Sequence, residues 1–231
     1  MTAIAHALAR AHRLGALAGA AACSLALAQP QATAPSEAER LVFMDPHLAG
    51  ITPPRTLRYA YAEQGGADGP RSERMTLELR ADAGGACCDV RGRFLAPPRA
   101  LQLPEIAAAR SNPALLYFLE HEVRQLQQQT RGQSAHFRQR IRLALANDAR
   151  VAATTVRWQG REVPARGVQI APFVDDPYRQ RFEALAKKEY TFVLSTSVPG
   201  GLYQVRTSLP GTPQRETLTL EEDIDAAAPR R

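Results

Sequence analysis

The chain has 231 residues, 29 basic and 23 acidic side chains, a formal charge of +6, and 45% hydrophobic residues. Enough apolar residues are present to bury a substantial core, so the composition excludes a disordered chain. The arginines are interleaved with Asp and Glu along most of the sequence, which excludes the concentrated basic stripe expected of a nucleic-acid binder.

Arg10 and Arg13 precede an uncharged run from Leu14 to Leu27 that closes in Ala26-Leu27-Ala28. A basic start, a short apolar stretch and a small-residue cleavage site predict a cleavable bacterial signal peptide over residues 1–28. The run falls short of the roughly 20 apolar residues that span a bilayer, so a permanent anchor is not expected. A lipoprotein modified at Cys23 is the less favoured alternative, because Ala20 stands where such signals carry Leu. Cleavage removes two arginines and no acid, leaving a formal charge of +4 and placing the mature chain in the periplasm or outside the cell. Residues 29–40, polar and containing two prolines, read as a flexible leader. A single domain is expected over 41–221, with 222–231 as a flexible tail.

Thr56 to Ala62 alternates so that Leu57, Tyr59 and Tyr61 share one face, and Met75, Leu77 and Leu79 do the same after a Gly- and Asp-rich turn. Period two is the pattern of half-buried strands, here a hairpin with a long loop. Cys88 to Leu95 is a third strand candidate. Asn112-Pro113 then opens a helix with a capping side chain and a proline at the first helical position. Its apolar stripe is Leu115, Leu116, Leu119, Val123 and Leu126, with Glu120 and Arg124 one turn apart. Gly132 ends it, and Ser134 is the expected cap of a second helix to about Ala146, with Phe137, Ile141, Ala144 and Leu145 inward. The two helices form an α-hairpin. Strands return at Val151 to Trp158 and Glu162 to Phe173 around a Gln159-Gly160 turn. A short helix from about Pro177 to Lys187, capped by Asp175 or Asp176, precedes strands at Tyr190–Leu194, Leu202–Leu209 and Thr217–Leu220. The fold class expected is α+β: a curved antiparallel sheet of about seven strands, covered by an α-hairpin and one short helix.

Chemical motifs are sparse. Cys87 and Cys88 are the only cysteines after residue 28, and in an oxidising compartment three fates are open to them: a vicinal disulfide, a cross-link between copies, or burial in reduced form. His121-Glu122 begins like a zinc-protease helix, but Gln125 occupies the place of the second histidine, so no metal site is assigned. His121 and His136 sit on the two arms of the α-hairpin near its polar faces, where solvated side chains are expected. Asp175-Asp176 before a helix reads as a cap rather than as acid/base or calcium ligands, and Asp45 with His47 forms no recognised motif. Neither a nucleophile elbow nor a phosphate loop occurs, so no catalytic residue and no cofactor is assigned. Arg131, Arg138, Arg140 and Arg142 have the sign for DNA, but export removes that partner.

Five segments, Asn112–Glu120, Phe137–Leu145, Asp175–Pro177, Tyr190–Leu194 and Val198–Tyr203, together resemble a family of exported bacterial proteins of unknown function, over most of residues 41–221. The resemblance implies export and a single domain and carries no activity. The function expected is that of a non-enzymatic periplasmic binding protein for an apolar small molecule or polypeptide, held in the concave face of the sheet. An envelope protein docking through the α-hairpin, or a hydrolase assembled from scattered His and carboxylates, are the alternatives.

Overall fold

The computed structural model describes residues 34–66, 69–85 and 87–225, all within one compact unit, Ala34–Arg231. The signal-peptide span, the start at Gln29 and Cys23 lie outside the described residues. The described chain enters through a short helix, α-helical over Glu37–Glu39 and π-helical over Arg40–Met44. Ser36 caps it in a capping box with Glu39, so four of the residues expected in a flexible leader are helical.

Eight strands follow from the period-two segments: β1 (Arg55–Gln64), β2 (Arg71–Ala81), β3 (Cys87–Phe94), β4 (Arg150–Trp158), β5 (Arg161–Ile170), β6 (Glu189–Leu194), β7 (Leu202–Ser208) and β8 (Arg215–Asp225). They form one open antiparallel sheet in the order β3-β2-β1-β8-β7-β6-β5-β4. The last strand begins before the expected Thr217 and runs through Asp225, which takes 222–225 out of the expected tail. Two meanders, β1 to β3 and β4 to β7, are thus joined within the sheet by β8.

Two helices, α1 (Pro113–Thr130) and α2 (Ser134–Asn147), and a 3₁₀ helix at Arg179–Leu185 complete the fold. Among the described residues no helix is long and apolar enough to cross a membrane. The helix pair packs on the face of the sheet that carries Leu57, Tyr59, Tyr61, Met75, Leu77 and Val205, all withdrawn from water. Each such side chain contributes roughly 1.5–3 kcal/mol by leaving water. The side chains between them stay partly or fully exposed, the pattern of a sheet with one wet face.

The start of α1 is as expected, since Asn112 Oδ1 accepts the Ala114 N–H at 3.0 Å ahead of Pro113. Its end differs: the left-handed residue is Arg131 (φ 56°), and Gly132 is small because a Cβ there would lie 2.7 Å from the Phe137 ring. Ser134 does not cap α2; its hydroxyl donates to Gln127 Oε1 at 2.7 Å. A steric requirement also sets Gly92 on β3, where a Cβ would sit 2.3 Å from Cε2 of buried Tyr117.

The two edges of the sheet are treated differently. Segment 101–109 covers the outer edge of β3 with backbone bonds: Val90 and Ile106 exchange N–H donors at 2.8 and 2.9 Å, and Ala109 N–H reaches Cys88 O at 2.8 Å. The β4 edge carries no such cover among the described residues.

Candidate functional site

A groove of about 710 Å³ opens at one end of the sheet. Its wall is the turn that follows the entry helix, and its base is formed by β5 around Ala165, the paired end of β6 at Leu194 and the turn that follows it. Ile51, Ala165, Leu194 and Val198 supply apolar surface, while Asp45, Arg166 and the Ser195–Ser197 turn make the rim polar. Trp158, the single tryptophan of the chain, lines it as well.

His47 fastens that wall. Its Nε2–H donates to Leu41 O at 2.8 Å and its Nδ1 accepts the Asn112 N–H at 3.1 Å, which fixes the neutral tautomer. Burial pushes the His47 pKa down, against opposing contributions from Leu41 and Asp45. Asn112 also donates from Nδ2 to Tyr59 OH at 2.8 Å and to Gly200 O at 2.7 Å. Gly200 and Gly201 adopt φ of 73° and 69°, and a Cβ on Gly200 would lie 2.6 Å from Leu57 Cδ1. One residue, Asn112, therefore ties the helix start, the core of β1 and the glycine turn of the groove together.

A second groove of about 630 Å³ runs between α1 and α2 on their outer side. Leu116 is 50% exposed beside it and Phe43 37% exposed, with Arg138 and Arg142 along the rim. The apolar stripe of α1 thus splits, since Leu115, Leu119, Val123 and Leu126 are buried and Leu116 is not. Arg138 is held by Glu120 at 2.7 Å, so only part of the arginine face is unengaged.

The structure overturns the expectation that His121 and Glu122 are solvated, because α1 turns this face onto the sheet and both are buried. Lys188, just before β6, places Nζ 2.6 Å from Glu122 Oε2 and 3.5 Å from Glu216 Oε1. Tyr61 OH donates to Glu216 Oε2 at 2.7 Å and lies 3.1 Å from His121 Nε2. Gln125 reaches both His121 and Glu216. Glu122 has no hydrogen-bond donor other than Lys188, and the Tyr190 hydroxyl is buried with no hydrogen-bond partner among the described residues. Burial, then the neighbouring Glu216, pushes the Glu122 carboxyl up to about 8 against the pull of Lys188. Burial opposes ionisation of Glu216 too, but the hydrogen bond with His121 and the Lys188 charge outweigh it and hold that carboxyl well below the usual range. At neutral pH the pair therefore keeps one proton, on Glu122. The adjoining cavity is small, about 60 Å³.

His121 and His136 are not brought together. His136 Nε2 lies 2.7 Å from Asp176 Oδ2, and Arg140 Nε lies 3.4 Å from the same oxygen. Asp176 Oδ1 accepts the Tyr178 N–H at 2.8 Å in a turn ahead of the 3₁₀ helix, whose N-cap is Tyr178 without a side-chain bond, so neither Asp175 nor Asp176 is the expected cap. No group of three or more metal-ligating side chains occurs among the described residues. Cys87 and Cys88 are joined by a cis peptide bond with their sulfurs in contact, Cys88 fully buried.

No protein-family model and no curated protein matches the sequence. Among solved structures, the fold is similar to the crystal structure of the Mycobacterium tuberculosis lipoprotein LppX, with a TM-score of 0.34 at 10% identity. That match covers 79% of this chain and 91% of the lipoprotein.

Proposed function

We propose that the protein is an exported, non-enzymatic binding protein that takes an apolar or amphiphilic small molecule in the groove beside Trp158. The observation that carries this reading is the groove itself: about 710 Å³ is within the range of sites that bury a lipid-sized ligand, and an apolar base with a polar rim suits an amphiphile. It lies at the end of the sheet, because helices and aromatic side chains fill the face where the ligand was first expected. Trp158 makes the test direct. Titration with 16-doxyl-stearate should quench its fluorescence saturably at one equivalent. Gly50 lines the groove and a Cβ there meets nothing within 4 Å, so Gly50→Phe should fill the space and weaken quenching by ~10-fold or more. Quenching that fails to saturate, or that ignores Gly50→Phe, overturns the assignment.

Export to the periplasm forms part of this proposal, and the mass of the mature protein reads it through a start at Gln29. In that compartment Cys87 and Cys88 form the intrachain bridge, which alkylation before and after reduction scores. A second reading, docking of an envelope protein on the helix pair, is favoured by the exposure of Leu116 beside Arg138 and Arg142. A photo-crosslinker at position 116 that captures nothing in intact cells would sink it.

A further inference from the structure

The outer edge of β4 is a second place where the fold can take a partner. Gln159 and Gly160 both have positive φ (47° and 77°) between the closing pair Trp158 and Arg161, so β4 and β5 are joined by a two-residue primed turn. In such a hairpin the closing pair is hydrogen-bonded and the bonding alternates along the ladder. Trp158, Val156, Thr154 and Ala152 therefore bond to β5, while Val151, Ala153, Thr155 and Arg157 turn their N–H and C=O groups away from the sheet. No hydrogen bond to those four outer backbone positions is present among the described residues.

Edges of this kind are ordinarily shielded by proline, a bulge, an inward charge or a covering segment. Segment 101–109 gives β3 such a cover. Between Arg150 and Arg157, β4 has no proline, bulge, inward charge or backbone-bonded cover, although the short helix Glu37–Glu39 comes against the strand: the sequence is Val-Ala-Ala-Thr-Thr-Val, it pairs with β5 without a register shift, and Ala152 to Thr155 are exposed on both faces. Small and β-branched side chains leave room for an added strand.

Charge selects the occupant. Arg150 and Arg157 are exposed, form no ion pair among the described residues, and are the only charged residues of the strand. An antiparallel second copy would present the same two arginines and no acid, so neither Arg150 nor Arg157 would gain an opposite charge. Like charges set together oppose pairing, and opposite charges support it.

We propose that β4 is a docking strand that adds an extended polypeptide segment with acidic residues at its ends to the sheet, by backbone pairing at Val151, Ala153 and Thr155. The mode is strand addition, in which main-chain bonds supply affinity and flanking side chains supply specificity.

The test uses two fluorescein-labelled peptides, Glu-Val-Thr-Val-Thr-Val-Thr-Glu and the same sequence with Lys at both ends, followed by anisotropy against the full chain. The acidic peptide should bind saturably and at least ~10-fold tighter than the basic one. Ala153→Pro removes an outward N–H without breaking the β5 ladder and should abolish binding. If that variant does not fold, Arg150→Glu with Arg157→Glu, both at exposed positions, should reverse the preference between the two peptides. Equal binding of both peptides, or binding indifferent to these changes, overturns the proposal. So does a concentration-dependent dimer that Ala153→Pro dissolves, since the edge would then belong to a second copy. Stearate quenching at Trp158 stays a separate readout, so the failure of one assignment leaves the other standing.

Discussion

Replacing Glu122 by glutamine should change the shape of the pH–stability curve more than its height. The folded Glu122 carboxyl holds its proton up to about pH 8, whereas an unfolded glutamate releases it near 4.5. Between those values the native state binds one proton that the unfolded chain does not, so stability falls as pH rises, by up to about tenfold in the folding equilibrium per pH unit, and levels off above the folded pKa. Glu216 has the opposite displacement, and its contribution is complete above the unfolded pKa and lost only in acid. The neutral amide introduced by Glu122→Gln can accept from Lys188 and donate to Glu216 without ever needing to ionise. Glu122→Gln should therefore match the parent protein near pH 5 and exceed it at pH 9 by roughly a few kcal/mol. Urea midpoints followed by circular dichroism from pH 5 to pH 9 measure this. Parallel curves for the two proteins, or a loss of stability of constant size, would refute the idea of a proton trapped on Glu122.

Asp176→Ala should cost roughly 1.5–3 kcal/mol, because the buried carboxylate bonds the Tyr178 amide and faces His136 and Arg140; a urea midpoint within error of the parent would contradict it. Gly92→Ala should destabilise by about 1–3 kcal/mol through overpacking on Tyr117, and a Tyr117→Leu background should recover part of that loss in thermal melts.

What the sequence disclosed depended on the range of the interaction. The start of α1 was legible because Asn112, Pro113 and Ala114 are neighbours, and β1 and β2 because alternation needs only a strand's own residues. Arg131 taking the left-handed position beside an available glycine was not, because the Phe137 ring settles the matter. The sharpest miss is the face of α1. His121 and Glu122 look like surface residues on helical periodicity alone, and their burial becomes intelligible only with Lys188 ahead of β6, Glu216 on β8 and Tyr61 on β1. A lysine, a tyrosine and two glutamates far apart in the chain leave no local trace of their contact in a sequence. The groove at the end of the sheet was not foreseen, because strand periodicity says which face is apolar and not how much of it the protein's own helices fill. The open β4 edge was written in the Gln159-Gly160 turn and the uncharged run before it, and only the strand order showed it to be an outer one.

The central position of β8 has a consequence for the order of events in biogenesis. A chain emerging N-terminus first can assemble one meander from β1 to β3 and another from β4 to β7, but the seam between them waits for Arg215–Asp225. Until then the inner edges of β1 and β7 are both vacant, Tyr61 and Lys188 lack the carboxylate of Glu216, and the two halves have no common sheet. Completion is a closing stitch made by β8, so synthesis that stalls before residue 215 delivers two loose flaps instead of a smaller version of this sheet.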